Sequence, residues 1–383
     1  MGPESAVFGN PIKLFKILGF AIRIDPSWCI VAALVTWQLS TLALPVWVPG
    51  RPAAVYWVAG VVAAFAYFLS VVLHELSHAL VARRYGLEMR GITLFIFGGV
   101  AEMPREPPTA QAELLIAAAG PAASFGISLA FGAGYAVATA AGLPAMAAAV
   151  CGLLGGLNAM LALFNLVPAF PLDGGRVLRA VLWGWSGSLR RATRIASGVG
   201  AGFGLLLVGL GLISTVRGSW SGLWLVLVGF FVRNAAQASY QQLLLRRALE
   251  GEPVSRFMQT DPVTVPRAIS VLDLVQGYVY RYHFKMFPVV DDGGRLLGCV
   301  TTRKLRELPR EEWDRQTAGA VTERCGPENT VRADTDAMQA LSTMSRTGAS
   351  RLMVVDGDRL LGILSLKDLL RFFSLKMELE GTG

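Results

Sequence analysis

Apolar residues run in long blocks through roughly the first 245 positions and then give way to short ones separated by charge. A helix needs about 20 predominantly apolar residues to cross the hydrocarbon core of a bilayer. Six stretches qualify: about 28–48, 53–82, 112–141, 145–167, 195–216 and 220–238. The first is short, with Pro45 near its end, and Leu143-Pro144 makes a tight turn between the third and fourth. Between the second and third, residues 92–97 (Ile-Thr-Leu-Phe-Ile-Phe) have strand character, and Gly98-Gly99 can turn or bulge the chain. The expected fold is a polytopic α-helical membrane domain of about six transmembrane helices with a membrane-associated β-hairpin, residues 1–250. A soluble α/β part follows, with the boundary near Gly251-Glu252-Pro253.

Charge sets the orientation. Lys13, Lys16 and Arg23 precede the first span. Arg83, Arg84, Arg90 and Arg105 lie between the second and third, and Arg176, Arg179, Arg190, Arg191 and Arg194 between the fourth and fifth. Arg233, Arg246 and Arg247 follow the sixth. The opposite connections carry only Arg51 and Arg217. The positive-inside rule then puts both termini, and the soluble part, in the cytoplasm of a multi-pass cell-membrane protein. The net charge of +8 reflects these arginines. No basic patch interleaved with aromatic residues accompanies it, so nucleic acid is not an expected partner. Cys29, Cys151, Cys299 and Cys325 form no Cys-x-x-Cys pair, which supports neither a disulfide framework nor a cysteine metal site. No cleavable signal peptide is expected ahead of the first span.

The chain has three histidines, and two stand four residues apart inside the second span, as His74-Glu75-Leu-Ser-His78. That spacing places both imidazoles on one helix face. An ionisable group at the bilayer centre costs roughly 2.5–3.5 kcal/mol on insertion scales, so such groups mark function. Two imidazoles with a glutamate between them are the pattern of a zinc hydrolase, with two nitrogen ligands and a general base. A catalytic zinc needs a third protein ligand. The best-placed candidate is Asp173, in Asn165-Leu-Val-Pro-Ala-Phe-Pro-Leu-Asp173-Gly-Gly-Arg after the fourth span. Pro168 and Pro171 break the helix there, and Gly174 and Gly175 allow unusual backbone angles. Small-residue pairs at Gly152/Gly156 and Gly200/Gly204 suit close helix packing or are merely small.

The two motifs together, in this order and on separate spans, resemble the site-2 protease family of intramembrane zinc metalloproteases over about residues 10–235. The resemblance implies that His74, His78 and Asp173 ligate one zinc per chain and that Glu75 is the general base. It implies that Asn165 positions substrate or stabilises the oxyanion. Gly98-Gly99-Val100-Ala resembles that family's membrane hairpin. An open edge there would accept an extended substrate by strand addition, and an ordinary interfacial hairpin stays open beside that reading. Ala118-Ala-Gly-Pro121 resembles a further family motif with a packing role.

The soluble part repeats itself. Phe287-Pro-Val-Val-Asp and Leu296-Leu-Gly298 recur as Leu352-Met-Val-Val-Asp and Leu360-Leu-Gly362, each followed by a strand and a helix. The pattern resembles a tandem CBS-domain pair, with a first domain over residues 251–315 and a second over 316–383. The resemblance implies adenine nucleotide binding, by AMP or ATP, where Ser/Thr-x-x-Asp holds a ribose. Ser365 and Asp368 keep that pattern, whereas the first repeat has Thr301 and Lys304. A purely structural dimerisation module, giving a homodimer, stays open beside it. His283 is expected at a helix end or on the surface.

The function implied is regulated intramembrane proteolysis. A zinc metalloprotease would cleave a membrane-protein substrate in or near its transmembrane segment, within the lipid bilayer, under control of the CBS pair. A transporter has no need of His-Glu-x-x-His paired with Asp173. An inactive scaffold is disfavoured by the complete ligand set.

Overall fold

The structure is a computed structural model that describes residues 12–87, 91–95, 98–101, 106–291 and 293–380. The chain folds as two compact units, one ending at Leu243 and the other beginning at Leu244.

The first unit opens with a hairpin that the hydropathy pattern did not reveal, β1 (Ile12–Ile17) and β2 (Phe20–Ile24). The first span follows as α1 (Ser27–Gln38), one π-helical turn (Leu39–Ala43) and α2 (Leu44–Trp47). Next come α3 (Ala53–Arg84), β3 (Ile92–Phe95), β4 (Gly98–Ala101), α4 (Ala110–Ala140) and α5 (Ala145–Asn165). Helices α6 (Asp173–Ser186), α7 (Leu189–Val216) and α8 (Ser221–Leu249) complete the run, with α8 continuing past Leu243 into the second unit. Ser27–Trp47, α3, α4, α5 and α7 are five helices long and apolar enough to cross a membrane. The expected sixth span lies in α8, whose apolar run is cut short by Arg233-Asn234.

Four strands form one sheet in the order β1-β2-β3-β4. Strand β2 runs parallel to β3, with Ile22 opposite Ile92, and β3 runs antiparallel to β4, with Leu94 opposite Gly99. Phe20, Ile22, Ile92 and Leu94 of the sheet bury against Val72, Leu76 and Ala79 of α3. Those α3 residues recur at intervals of four and three, so they form one face of the helix. Close helix contacts use small residues, as membrane packing favours. Gly204 meets the backbone of Gly229 and Arg233, and Gly200 meets Phe170 and Ala236. Gly152 lies against Trp47, while Gly156 faces open space.

The second unit carries the repeat as repeated topology. Its first half has β5 (Val265–Pro266), α9 (Val271–Leu274), a π-helical turn, α10 (Tyr280–Tyr282), β6 (Met286–Val290), β7 (Leu296–Thr301) and α11 (Thr302–Glu307). Its second half has β8 (Thr330–Arg332), α12 (Ala337–Thr347), β9 (Arg351–Asp356), β10 (Arg359–Ser365) and α13 (Leu366–Glu380). The sheets are β5-β6-β7 and β10-β9-β8, each with one parallel and one antiparallel pairing. His283 is exposed at the C-cap of α10. All four cysteines are free thiols. Burial pushes the Cys299 thiol up to about 12 and the Cys325 thiol up to about 11, so both stay protonated at neutral pH.

The glycine of each Leu-Leu-Gly run has a specific cause. Gln259, ahead of the first repeat, pairs with Ile363 of the second, and Glu323, ahead of the second, pairs with Cys299 of the first. A Cβ on Gly362 would strike the Gln259 carbonyl, and one on Gly298 would strike the Glu323 carbonyl. The linking segments therefore lie directly on these strands. Gly362→Ala should destabilise the soluble unit by about 1–3 kcal/mol, the usual cost of overpacking. Gly277→Ala, which meets nothing within 4 Å, should be neutral. Chemical denaturation of the full chain followed by tryptophan fluorescence tests the contrast, and equal effects of the two changes would refute it.

Candidate metal centre

Helix α3 presents two faces. Val72, Leu76 and Ala79 take the sheet, and His74 and His78 project from the opposite side. Both histidines are buried, at 3% and 4% exposure. Asp173 arrives from the first turn of α6. His74 Nε2 lies 3.1 Å and His78 Nε2 3.2 Å from Asp173 Oδ2, and the two Nε2 atoms are 3.3 Å apart. Three ligand atoms thus face one point. A tetrahedral zinc with bonds of about 2.0–2.1 Å has ligand atoms about 3.3 Å apart. The donor set and its spacing fit that ion. Among the described residues this is the cluster of His, Cys, Asp and Glu side chains able to hold a metal.

The far nitrogens of both rings are fixed by α4. His78 Nδ1 donates to the Ile116 carbonyl at 2.6 Å, and His74 Nδ1 lies 2.9 Å from Ser124 Oγ. A carbonyl only accepts, so in neutral His78 the proton is on Nδ1 and Nε2 keeps its lone pair for the cluster. Such partners hold a ligand ring in its tautomer and orientation. Between them sits Gly120, where a Cβ would strike Nε2 of both histidines. Ala118-Ala-Gly-Pro121 therefore supplies the surface under the imidazoles, which goes beyond packing.

The approach of Asp173 depends on its own loop. Helix α5 ends at Asn165 and α6 begins at Asp173, with both prolines in between. Gly174 and Gly175 sit in regular helix, contrary to the unusual backbone angles expected of them. Their role is close approach. A Cβ on Gly174 would strike the carbonyls of Leu166 and Val167, and one on Gly175 the backbone of Ala169 and Phe170. The segment expected to be an arginine-bearing loop is instead the amphipathic α6. Its Arg179 is buried against Glu113 of α4.

The other expected site residues divide. Glu75 is half-buried beside the cluster, and its carboxylate interacts electrostatically with His78, His74, Asp173 and Arg176. Asn165 is half-buried, and its amide donates to the Leu161 carbonyl of its own helix at 3.0 Å. Gly98, Gly99 and Val100 lie in β4, the outer strand of the sheet, which runs beside α3. Ile96 and Phe97 of the expected hairpin lie outside the described residues. Ser365 and Asp368 sit at the junction of β10 and α13. Ser365 Oγ donates to Asp368 Oδ2 at 2.5 Å, and the Asp368 N–H donates back to Ser365 Oγ at 3.2 Å. In the first repeat Thr301 caps Lys304, which pairs with Glu307.

Sequence reasoning missed Glu113, Arg179, Ser124 and Asn158. Glu113, a lone carboxylate within the third apolar stretch, was the readable signal. Asn158 is fully buried and donates to Ser70 Oγ at 3.3 Å and to the Leu154 carbonyl at 2.9 Å.

The chain matches the model of peptidase family M50 over residues 62–150 and 135–208, and the CBS domain model over 254–311 and 326–375. The protein Rip3 of Mycobacterium tuberculosis is 35% identical over 96% of this chain and 93% of its own length. Zinc metalloprotease MJ0392 of Methanocaldococcus jannaschii is 32% identical over 96% of this chain and 98% of its own. The solved structure of the site-2 protease from Methanocaldococcus jannaschii is 34% identical, with a TM-score of 0.41, over 60% of this chain and 94% of that one.

Gly120→Ala should push both imidazoles off the shared point and reduce bound metal severalfold while leaving the helical circular dichroism intact. Metal analysis of the purified variant checks this, and undiminished metal would show that the close approach is not required.

Proposed function

The chain belongs to peptidase family M50, the site-2 protease family of zinc metalloproteases, and on that premise we propose that it cleaves membrane-bound regulatory proteins in or near their transmembrane segments. It is a multi-pass membrane protein with a CBS pair in its second unit. The observation that carries the active-site reading is the convergence of His74, His78 and Asp173 with ligand atoms 3.1–3.3 Å apart. These three residues would hold one zinc. Bound there, zinc supplies a Lewis acid that polarises the scissile carbonyl and acidifies an attacking water. Glu75 accepts the proton of that water and returns it to the leaving amide nitrogen. Helix geometry puts Glu75 on the flank of α3 between the histidine face and the sheet face. Asn165 sits at the mouth of the loop that presents Asp173. One amide N–H is used on the Leu161 carbonyl, which leaves the second N–H and Oδ1 for substrate.

A peptide bond within a helix is already hydrogen-bonded, so a substrate must become extended before attack. The outer strand β4 supports pairing with such a segment, because among the described residues β3 alone pairs with it and takes one of its edges. The arginine distribution supports a cytoplasmic location for both termini and the CBS pair.

Metal analysis of detergent-purified protein tests the core of the proposal. About one zinc per chain is expected, lost in His78→Ala and Asp173→Ala. Glu75→Gln should retain zinc and lower cleavage of a membrane-anchored reporter by at least a hundredfold. Wild-type cleavage by Glu75→Gln would remove the general-base role, and a wild type that never takes up zinc would end the metal reading.

We further propose that the second CBS repeat binds an adenine nucleotide through Ser365 and Asp368. The pair forms a capping box at the start of α13. The second Asp368 oxygen meets the Gln259 amide at 3.4 Å, a long contact that a ribose hydroxyl would displace, and the helix N-terminus favours phosphate. The first repeat lacks the carboxylate. Titration calorimetry with AMP, ATP and S-adenosylmethionine should give binding at one site per chain, abolished by Asp368→Ala. Absence of heat with all three leaves the capping box as a purely structural feature.

A further inference from the structure

The groups that steady the metal cluster lie along one stripe of α4. Glu113, Ile116, Gly120 and Ser124 are three, four and four residues apart, so they share one face of the helix. Ser124 and Ile116 hold the two histidines, and Gly120 lies beneath their rings. Glu113, at the end of the stripe, reaches neither histidine. It engages the helix that carries the third residue of the cluster.

Glu113 is fully buried, and Arg179 of α6 is 5% exposed. Arg179 Nε donates to Glu113 Oε1 at 2.6 Å, and its terminal nitrogen contacts the same oxygen. That terminal nitrogen also lies 3.3 Å from Glu106 Oε2, and Arg176 Nε lies 4.0 Å from Glu113 Oε1. Two carboxylates and two guanidiniums thus balance one another. The Arg179 guanidinium also lies 5.2 Å from the centre of the Phe170 ring, in the loop that leads into Asp173. Arg176 and Arg179 follow Asp173 by one and two turns of α6. Any rotation or slide of α6 that moved Asp173 would have to break this pair.

We infer that the buried Glu113–Arg179 pair is a positioning device that fixes Asp173 against the two histidines and so sets metal affinity. The inference rests on the zinc reading above. A neutral packing role predicts something different. A buried ion pair can be replaced by apolar residues of similar volume with little loss of stability, so the fold should survive such a replacement unharmed. The carboxylate would lose its fixed direction. Groups that orient metal ligands typically change affinity 10–100-fold when removed.

The experiment compares full-length wild type, Glu113→Gln, Arg179→Lys, the double variant E113L/R179M and His78→Ala. Zinc affinity is read by chelator competition, cluster geometry by visible absorption of the cobalt-loaded protein, and folding by thermal denaturation without metal. The double variant should unfold at the wild-type temperature yet bind zinc roughly 10–100-fold more weakly, with an altered cobalt spectrum. Arg179→Lys, which cannot present a forked pair of donors, should restore only part of the affinity. Should Glu113→Gln fail to fold, the double variant alone decides. Wild-type affinity and an unchanged cobalt spectrum in the folded double variant would overturn the inference while leaving the metal reading intact. A wild type that binds no more zinc than His78→Ala would overturn both.

Discussion

Two imidazole nitrogens and a carboxylate oxygen lie within 3.3 Å of one another in the core of a membrane unit. Neutral His78, with its proton on Nδ1, turns an Nε2 lone pair toward Asp173 Oδ2, and a cation between them, a proton or the proposed metal, would relieve that repulsion. Much of the first unit follows from meeting that condition. The histidines must leave the sheet-facing side of α3, so α3 is packed on both sides. The rings must not rotate, so α4 supplies a hydroxyl and a carbonyl to their far nitrogens. The rings must approach α4 closely, so the position beneath them has no side chain. Asp173 must reach across from another helix, so α5 stops early and two glycines let α6 fold tightly against the loop.

What could be read from the sequence was whatever has a local signature. A run of apolar residues or a pair of histidines four apart is visible without knowing the fold, and so five long apolar helices and the paired histidines of α3 were legible. The Leu143-Pro144 turn and the break at Pro168 and Pro171 were legible for the same reason. The N-terminal hairpin was not, because its two strands are short and Lys13, Lys16 and Arg23 disguise it as a charged flank. Its partner β3 lies some seventy residues on, and no local pattern encodes that pairing. The α6 arginines were misassigned because an arginine beside a span reads as a topological signal whether it faces water or a buried carboxylate. Only the three-dimensional position of Glu113 distinguishes the two.

The soluble unit shows the same division. Repetition of Leu-Leu-Gly and of the strand before it disclosed two equivalent halves. It did not disclose that each half is completed by the segment preceding the other. Val254 and Phe257, ahead of the first repeat, bury with Leu352, Val354 and Leu364 of the second. The two halves are therefore interlocked, and neither core is complete on its own. The nucleotide pattern is asymmetric for a chemical reason. Lys304 stands where Asp368 stands in its counterpart, and a lysine cannot accept from sugar hydroxyls.

A hydrolase in a lipid environment has to keep its metal ligands dry and its general base wet. Consecutive helical residues point about 100° apart, so Glu75 cannot share the direction of His74. Here the histidine face of α3 is closed by α4 and α6, while the opposite face is closed by the sheet. Glu75 projects between these two covers, and it is half-buried where both histidines are sealed. On the proposed reading, the His-Glu-x-x-His spacing thus does two jobs through helix geometry alone. It joins two ligands at one point, and it places the base on the flank between the two covered faces. The outer strand β4 runs alongside the same helix, so strand pairing would bring a substrate backbone to that flank.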